Sequence, residues 1–324
     1  MVRGAALLVV TCVLIGSPAA TQPIGEPYWV GDFRNADYCQ YTTVFESSSV
    51  NPDAAPDGYS PACSHYGRYA RDASQRVHLT QRPAPPSSTS SRWVSYQEIR
   101  TTDGPWYQGS TLAKATIRLS SDQTLDGPFE MGMERWFRVS FYLPARFNWP
   151  EDGWQTLFDL HNDVSDPAGN SWPTVQMVVT PTSGHRRFVS LALEGVSART
   201  NRETVKLLQL TKRNGSRIVR AVGKQAAPAA FGRWHTLVLG VRFADDGTVG
   251  NSAGWIKAYF DGRSVYAKSR PTVWKNETSV WLQLQNYMQY GKSLVGGATS
   301  SVIYFADARI GRTYASVALD RPPH

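Results

Sequence analysis

The sequence predicts an all-β protein built as an antiparallel β-sandwich, and three observations predict it. Segments rich in Val, Thr, Phe, Tyr and Trp recur along the chain, Gly, Pro, Asn and Asp punctuate them at short intervals, and apolar residues hardly repeat at helical spacing. No strand–helix–strand alternation is present, so a parallel α/β sheet is excluded and the strands are expected to pair with near neighbours.

The elements follow in order. Arg3 precedes an apolar run over 5–15 and then the small residues Ser17, Pro18, Ala19 and Ala20, the pattern of a secretory signal peptide. Residues 1–20 are therefore expected to be removed, and 21–324 to fold as one secreted domain, extracellular, periplasmic or held at the cell wall. No later stretch reaches the roughly 20 apolar residues of a membrane helix, so no membrane association is expected after the signal is removed. Cys12 leaves with the signal. Cys39 and Cys63 remain in an oxidising compartment, where a disulfide between them is expected. Two cysteines without clustered histidines cannot complete a zinc shell, and neither a metal nor a cofactor is expected.

Residues 51–91 carry many Pro, Ser and Ala and read as irregular surface loops. Residues 135–142 (RWFRVSFY) alternate as a half-buried strand should, and Pro144 ends it. Strands follow at 154–161 (WQTLFDLH), 175–179 and 188–193. Residues 234–243 (WHTLVLGVRF) form another, closed by the turn signal Asp245, Asp246, Gly247. Residues 255–259 and 264–266 read as a hairpin around Asp261-Gly262. The last two strands are 280–288 and 301–310.

The charge narrows the partners. Lys and Arg number 34 against 26 Asp and Glu, a net +8 that becomes +7 when Arg3 leaves with the signal. A basic surface concentrates anionic partners, although the same excess also serves solubility alone. No run of clustered Lys and Arg points to nucleic acid. A monomer is expected.

The segments GDFRNADYCQY, ERWFRVSFYLP, GRWHTLVLGVRF, AYFDGRSVY and SVIYFADARIG occur in that order. Together they resemble the heparin-lyase-like polysaccharide lyases and, more distantly, the alginate lyases. The resemblance covers most of the mature chain and implies a concanavalin A-like jelly roll that cleaves an acidic polysaccharide. Residues 281–289 (WLQLQNYMQ) resemble the alginate lyase strand ending in Asn-Tyr-x-Gln, which implies that Tyr287 acts in catalysis. Residues 158–162 (FDLHN) resemble the strand that presents a histidine two residues after a glutamine. His161 matches the histidine, and Asp159 stands where the family has glutamine. Residues 114–118 (KATIR) match the Arg-x-Glu-Leu-Arg strand more weakly; Arg118 is retained, with Lys114 on the same strand face.

β-Elimination on a uronic acid removes the proton at C5 and expels the oxygen at C4, so an enolate develops at the carboxylate. Cationic and amide donors must neutralise it, and a water-poor cleft strengthens them. Arg118, Gln289 and Lys292 are the candidates, with Asn286 as helper and Lys114 beside Arg118; an arginine can grip a carboxylate through two parallel hydrogen bonds. The base and acid need side chains that titrate suitably within reach. Histidine titrates near neutrality, and a tyrosine beside cations ionises more readily. The resemblance implies Tyr287 as acid, and also as base in one variant, with His161 as base or enolate stabiliser. Asp159 either repels the substrate carboxylate or orients His161 and raises its pKa.

Two other readings carry distinct signatures. A non-catalytic lectin-like module would use the same sandwich for binding alone, and Asp159 is its best support. A glycoside hydrolase needs paired carboxylates, for which Glu130 and Glu134 share a face. His235 is expected to be structural, and Trp136, Trp234 and Trp255 to lie in the core. Trp106, Trp172 and Trp274 are loop residues with the chemistry of sugar platforms.

Overall fold

Alternation builds both faces of each strand. In the stretch RWFRVSFY, Phe137, Val139 and Phe141 are buried in the core, while Trp136 and Tyr142 project from the other face. In the computed structural model the described residues are 25–46, 59–63, 71–87, 89–104, 112–145, 147–162, 173–181, 186–193, 203–213, 216–222, 231–245, 253–289 and 292–318. The expected signal at 1–20 lies outside them, as do Trp106 and Trp172.

Among the described residues the strands are β1 (Trp29–Gly31), β2 (Thr43–Glu46), β3 (Tyr59–Pro61), β4 (Val77–Thr80), β5 (Val94–Arg100), β6 (Leu112–Arg118), β7 (Glu134–Leu143), β8 (Gln155–Asn162) and β9 (Val175–Pro181). They continue as β10 (Arg186–Leu193), β11 (Glu203–Arg213), β12 (Ser216–Ala221), β13 (Arg233–Arg242), β14 (Trp255–Phe260), β15 (Arg263–Ser269), β16 (Val280–Gln289) and β17 (Ser300–Gly311). One eight-stranded sheet runs β15-β14-β13-β7-β17-β5-β4, with β1 added on β17; the other runs β12-β11-β10-β9-β8-β16-β6-β2-β3. Every pairing is antiparallel, as in a jelly-roll sandwich. β3 and β4 arise inside 51–91, which the sequence alone presents as irregular.

The two sheets bury one continuous core in which Ile117, Phe137, Phe141, Phe158, Leu160, Leu239, Leu284 and Phe305 are fully enclosed. A polar tie crosses it. Asn286 on β16 donates through Nδ2 to the carbonyls of Gln97 (3.2 Å) and Ser301 (2.9 Å) on the facing sheet. Gln97 Nε2 returns a hydrogen bond to the Leu284 carbonyl at 3.0 Å, and Gln155 Nε2 donates to Asn286 Oδ1 (2.7 Å) and Ser301 Oγ (2.8 Å).

The tryptophans depart from expectation. Trp136, Trp234 and Trp255 lie on the outer face of the eight-stranded sheet, because strand parity gives the inward positions to their neighbours. Trp136 packs there with Val238 and Val317, and Trp255 leans against the same cluster. Trp234 meets Tyr142 and donates its indole N–H to the Ala84 carbonyl at 2.5 Å. His235 is structural, as expected. Its Nδ1 donates to Asp261 Oδ2 at 2.9 Å, and the Thr236 N–H and the Arg233 guanidinium also donate to that carboxylate. Burial alone would raise the Asp261 carboxyl; these partners outweigh burial and hold it below the ordinary range.

Cys39 and Cys63 are joined in a disulfide across a sequence separation of 24. Restricting the unfolded chain over a loop of that length stabilises by roughly 3 kcal/mol in the loop-entropy account. Replacing both cysteines by serine is expected to lower the unfolding free energy by about that amount, measured by urea denaturation of wild type and variant.

Candidate active site

The nine-stranded sheet turns Ala115, Ile117, Leu282, Leu284, Phe158, Leu160 and Met177 into the core, so period-2 alternation sends the residues between them to the opposite face. That face is polar yet secluded. Thr116, Asp159, Gln176, Ser190, Gln283 and Gln285 are all buried there, whereas side chains on an open sheet face would be solvated. A polar surface shielded from solvent in this way is a candidate cleft.

Register sets the rows of this face. Gln283 on β16 pairs with Arg118 on β6 and with Asp159 on β8, and Asp159 pairs in turn with Gln176 on β9. Trp281 pairs with His161, and Tyr287 with Lys114 and Thr156. Along the backbone, His161 thus stands opposite a residue six positions from Tyr287, roughly 20 Å at about 3.3 Å per residue. The side chains close part of that gap around Lys114. Its ammonium lies 5.2 Å from the centroid of the Tyr287 ring and 4.5 Å from that of Phe45. The Arg118 guanidinium covers Phe45 at 4.9 Å and Trp281 at 5.5 Å. Phe45 is thus a shared seat for both cations.

Burial shapes the electrostatics. It lowers the Lys114 ammonium, which Arg118 also disfavours and Asp159 supports. It raises the Asp159 carboxyl well above the usual carboxylate range, against the pull of Lys114 and a 2.7 Å hydrogen bond donated by Gln285 Nε2 to Oδ2. His161 is held down to about 4 by burial and by the nearby charge of Lys114, so its imidazole is neutral at neutral pH. The expectation that Asp159 raises the His161 pKa is therefore not met; desolvation and cations decide it. Trp281 packs on the His161 ring at 5.2 Å.

At the other end Trp154 meets the Tyr287 ring edge-on at 5.1 Å. Gln289 shares the face of Tyr287 and abuts Gly153, where a β-carbon would stand 2.9 Å from Gln289 Oε1; the glycine has φ +79°, which excludes most side chains independently. Lys292 lies beside the same turn, with its ammonium 3.0 Å from Asp152 Oδ2.

Seven of the eight residues named from sequence thus belong to this face or its rim: Tyr287, His161, Arg118, Lys114, Asp159, Gln289 and Lys292. Asn286 does not. It points between the sheets, fully buried in the polar tie, because it alternates with Tyr287. The carboxylates of the hydrolase reading are elsewhere: Glu134 begins β7 in the opposite sheet beside Arg242, and Glu130 is an exposed residue just before it. Phe45, Trp154, Gln283 and Gln285 complete the face. For the two glutamines the alternation of WLQLQNYMQ was a sufficient signal; for Phe45 and Trp154 no local motif was.

Several buried atoms on this face have no hydrogen-bond partner among the described residues: Asp159 Oδ1, His161 Nδ1, Trp281 Nε1, Gln283 Oε1 and Ser190 Oγ. Buried polar groups are ordinarily hydrogen-bonded, and a polar ligand on this face could supply partners to these atoms.

The family model of polysaccharide lyases matches residues 67–308. No curated protein matches the sequence. Among solved structures, an alginate lyase from Pseudomonas aeruginosa is similar at a TM-score of 0.54 and 10% identity, over 84% of this chain and 98% of that one. An alginate lyase from Klebsiella pneumoniae gives 0.51 and 10%, over 87% and 98%. An endo-β-1,4-glucuronan lyase from the fungus Trichoderma reesei gives 0.49 and 14%, over 74% and 88%. The first two likenesses show a shared sandwich fold.

Proposed function

Because this chain belongs to the polysaccharide lyase family, we propose that it is a secreted enzyme that cleaves a uronic-acid polymer by β-elimination on the polar face of its nine-stranded sheet. The observation that carries this reading is the convergence of Lys114 and Arg118 over Phe45, beside Tyr287 and in a secluded row of hydrogen-bonding groups. Two cations that share one ring, with one of them 5.2 Å from a tyrosine ring, meet the two demands of the reaction, charge neutralisation at the carboxylate and a proton carrier at the sugar. Secretion is supported by the signal-like residues 1–20 and by the disulfide.

In this reading the substrate carboxylate lies against Lys114 and Arg118, and Tyr287 serves C5 and the C4 oxygen. The C5 proton leaves to the base, the C4–O bond breaks as the C4=C5 double bond forms, and the departing oxygen takes a proton. His161, neutral and remote from Tyr287 along the backbone, is a weak base here. It acts as a hydrogen-bonding partner of the substrate, and Tyr287 carries the proton in both directions. Gln289 and the Trp154 ring border Tyr287 and position the sugar. Lys292, engaged by Asp152, contributes at the rim.

The test is incubation of the protein with alginate, glucuronan, hyaluronan and heparin, followed by ultraviolet absorbance of the unsaturated uronide. Heparin belongs in the panel because of the strand motifs that resemble its lyases. Growth of the absorbance on one or more polymers is the expected result. Binding to these polymers with no such absorbance on any of them would support the lectin-like reading instead, and new reducing ends without it would mean hydrolysis.

A further inference from the structure

Among the described residues Asp159 is the one carboxyl group on the cleft face, and two observations define its surroundings. It is 4% exposed, and its two oxygens are treated differently: Oδ2 accepts from Gln285 Nε2 at 2.7 Å, while Oδ1 is buried with no hydrogen-bond partner among the described residues. Register places it directly across Gln283 from Arg118, and two residues before His161 on the same face. A carboxylate in this place would meet the substrate's own carboxylate in the row where Arg118 would grip it, and the two anions would repel at short range. A carboxylic acid would not, since its O–H is a donor.

From this geometry we infer that Asp159 works as a neutral acid, donating a hydrogen bond from Oδ1 to the substrate carboxylate and strengthening it as the enolate forms. The inference rests on the lyase reading of the cleft and adds the identity of a donor to it. Gln285 fixes which oxygen bears the proton: an amide N–H donated to Oδ2 makes that oxygen the acceptor and leaves Oδ1 for the hydroxyl. The surroundings favour the neutral form. Burial raises the carboxyl, and the groups that face it are Gln283 and Gln285 on β16, Gln176 on β9, His161 on its own strand and Lys114 on β6, with the Arg118 cation one strand beyond Gln283 in the same row. Of these Lys114 opposes protonation, but burial lowers its own ammonium, and a bound substrate carboxylate competes for whatever charge it keeps. A buried carboxyl kept neutral so that it donates to a developing oxyanion is an established chemical device.

The sign of the pH dependence follows. A raised pKa means that the donor form is present at low pH and is lost as pH rises through about 7, so activity should fall along that limb. Three measurements test the inference. Asp159→Ala removes the donor and is expected to lower kcat/KM on the cleaved polymer by more than about a hundredfold. Asp159→Asn keeps the pattern, its oxygen accepting from Gln285 and its NH₂ replacing the acid, and should recover activity at mildly acidic pH to within about tenfold of wild type. Infrared difference spectra of wild type against Asp159→Asn should show a carboxylic acid C=O band at mildly acidic pH that vanishes at alkaline pH. If wild type cleaves a polymer but Asp159→Asn is as impaired as Asp159→Ala, or the spectrum shows only carboxylate, Asp159 is an anion paired with Lys114 and the inference is wrong while the lyase reading stands. If wild type cleaves none of the panel, both fall together.

Discussion

Tyr287→Phe removes one oxygen atom, and product formation on the cleaved polymer is expected to fall by roughly 10²–10⁴-fold, the range for loss of a positioned acid–base group. The ring contacts survive the change. Trp154 at 5.1 Å and the Lys114 ammonium at 5.2 Å both address the aromatic face or edge rather than the hydroxyl, so phenylalanine keeps the same seat. The loss should therefore appear in kcat with little change in KM, and thermal unfolding should match wild type. Substantial turnover in the variant, at a third of the wild-type rate or more, would remove Tyr287 from proton transfer and leave it a platform for the sugar.

Asn286→Leu, one residue away, is expected to do the opposite: large damage to stability through an interior site. Leucine has nearly the same shape but no amide, so the carbonyls of Gln97 and Ser301 lose their donor and Gln155 Nε2 loses one of its two acceptors. Leaving buried polar groups unsatisfied costs about 1–3 kcal/mol each, and a total of roughly 2–5 kcal/mol is expected because partial relaxation recovers some of it. Chemical denaturation measures this. A variant as stable as wild type would mean that the sheets hold their spacing without the tie. This pair of variants also separates two adjacent positions that the motif Asn-Tyr-x-Gln presents together as site residues.

That contrast shows what the sequence made legible. Period-2 alternation located 135–142, 154–161, 234–243 and 280–288 and, applied strictly, would have turned Asn286 inward as Tyr287 turned outward. The tryptophans obeyed the same parity: their places on strands suggested the core, but alternation sent Trp136 and Trp255 to an outer cluster. What stayed illegible was non-local. Phe45 sits on β2, whose partner β6 lies some seventy residues later, and nothing near Phe45 signals that two cations will rest on it. β4 was hidden because four residues amid Pro and Ser carry too little pattern to read as a strand. Asp159 was visible as an anomaly, but its protonation depends on burial, which is a property of the assembled sheet.

The unsatisfied atoms of the cleft have a consequence for how this protein tolerates change. Asp159 Oδ1, His161 Nδ1, Gln283 Oε1 and Ser190 Oγ are buried without a hydrogen-bond partner among the described residues, a local cost that apolar side chains would not carry. Apolar residues of similar size at these positions would harden the sheet and blind it to its ligand. Selection for thermal robustness alone should therefore erode this face first, and the positions at which stabilising substitutions silence the enzyme will outline the path of the bound polymer.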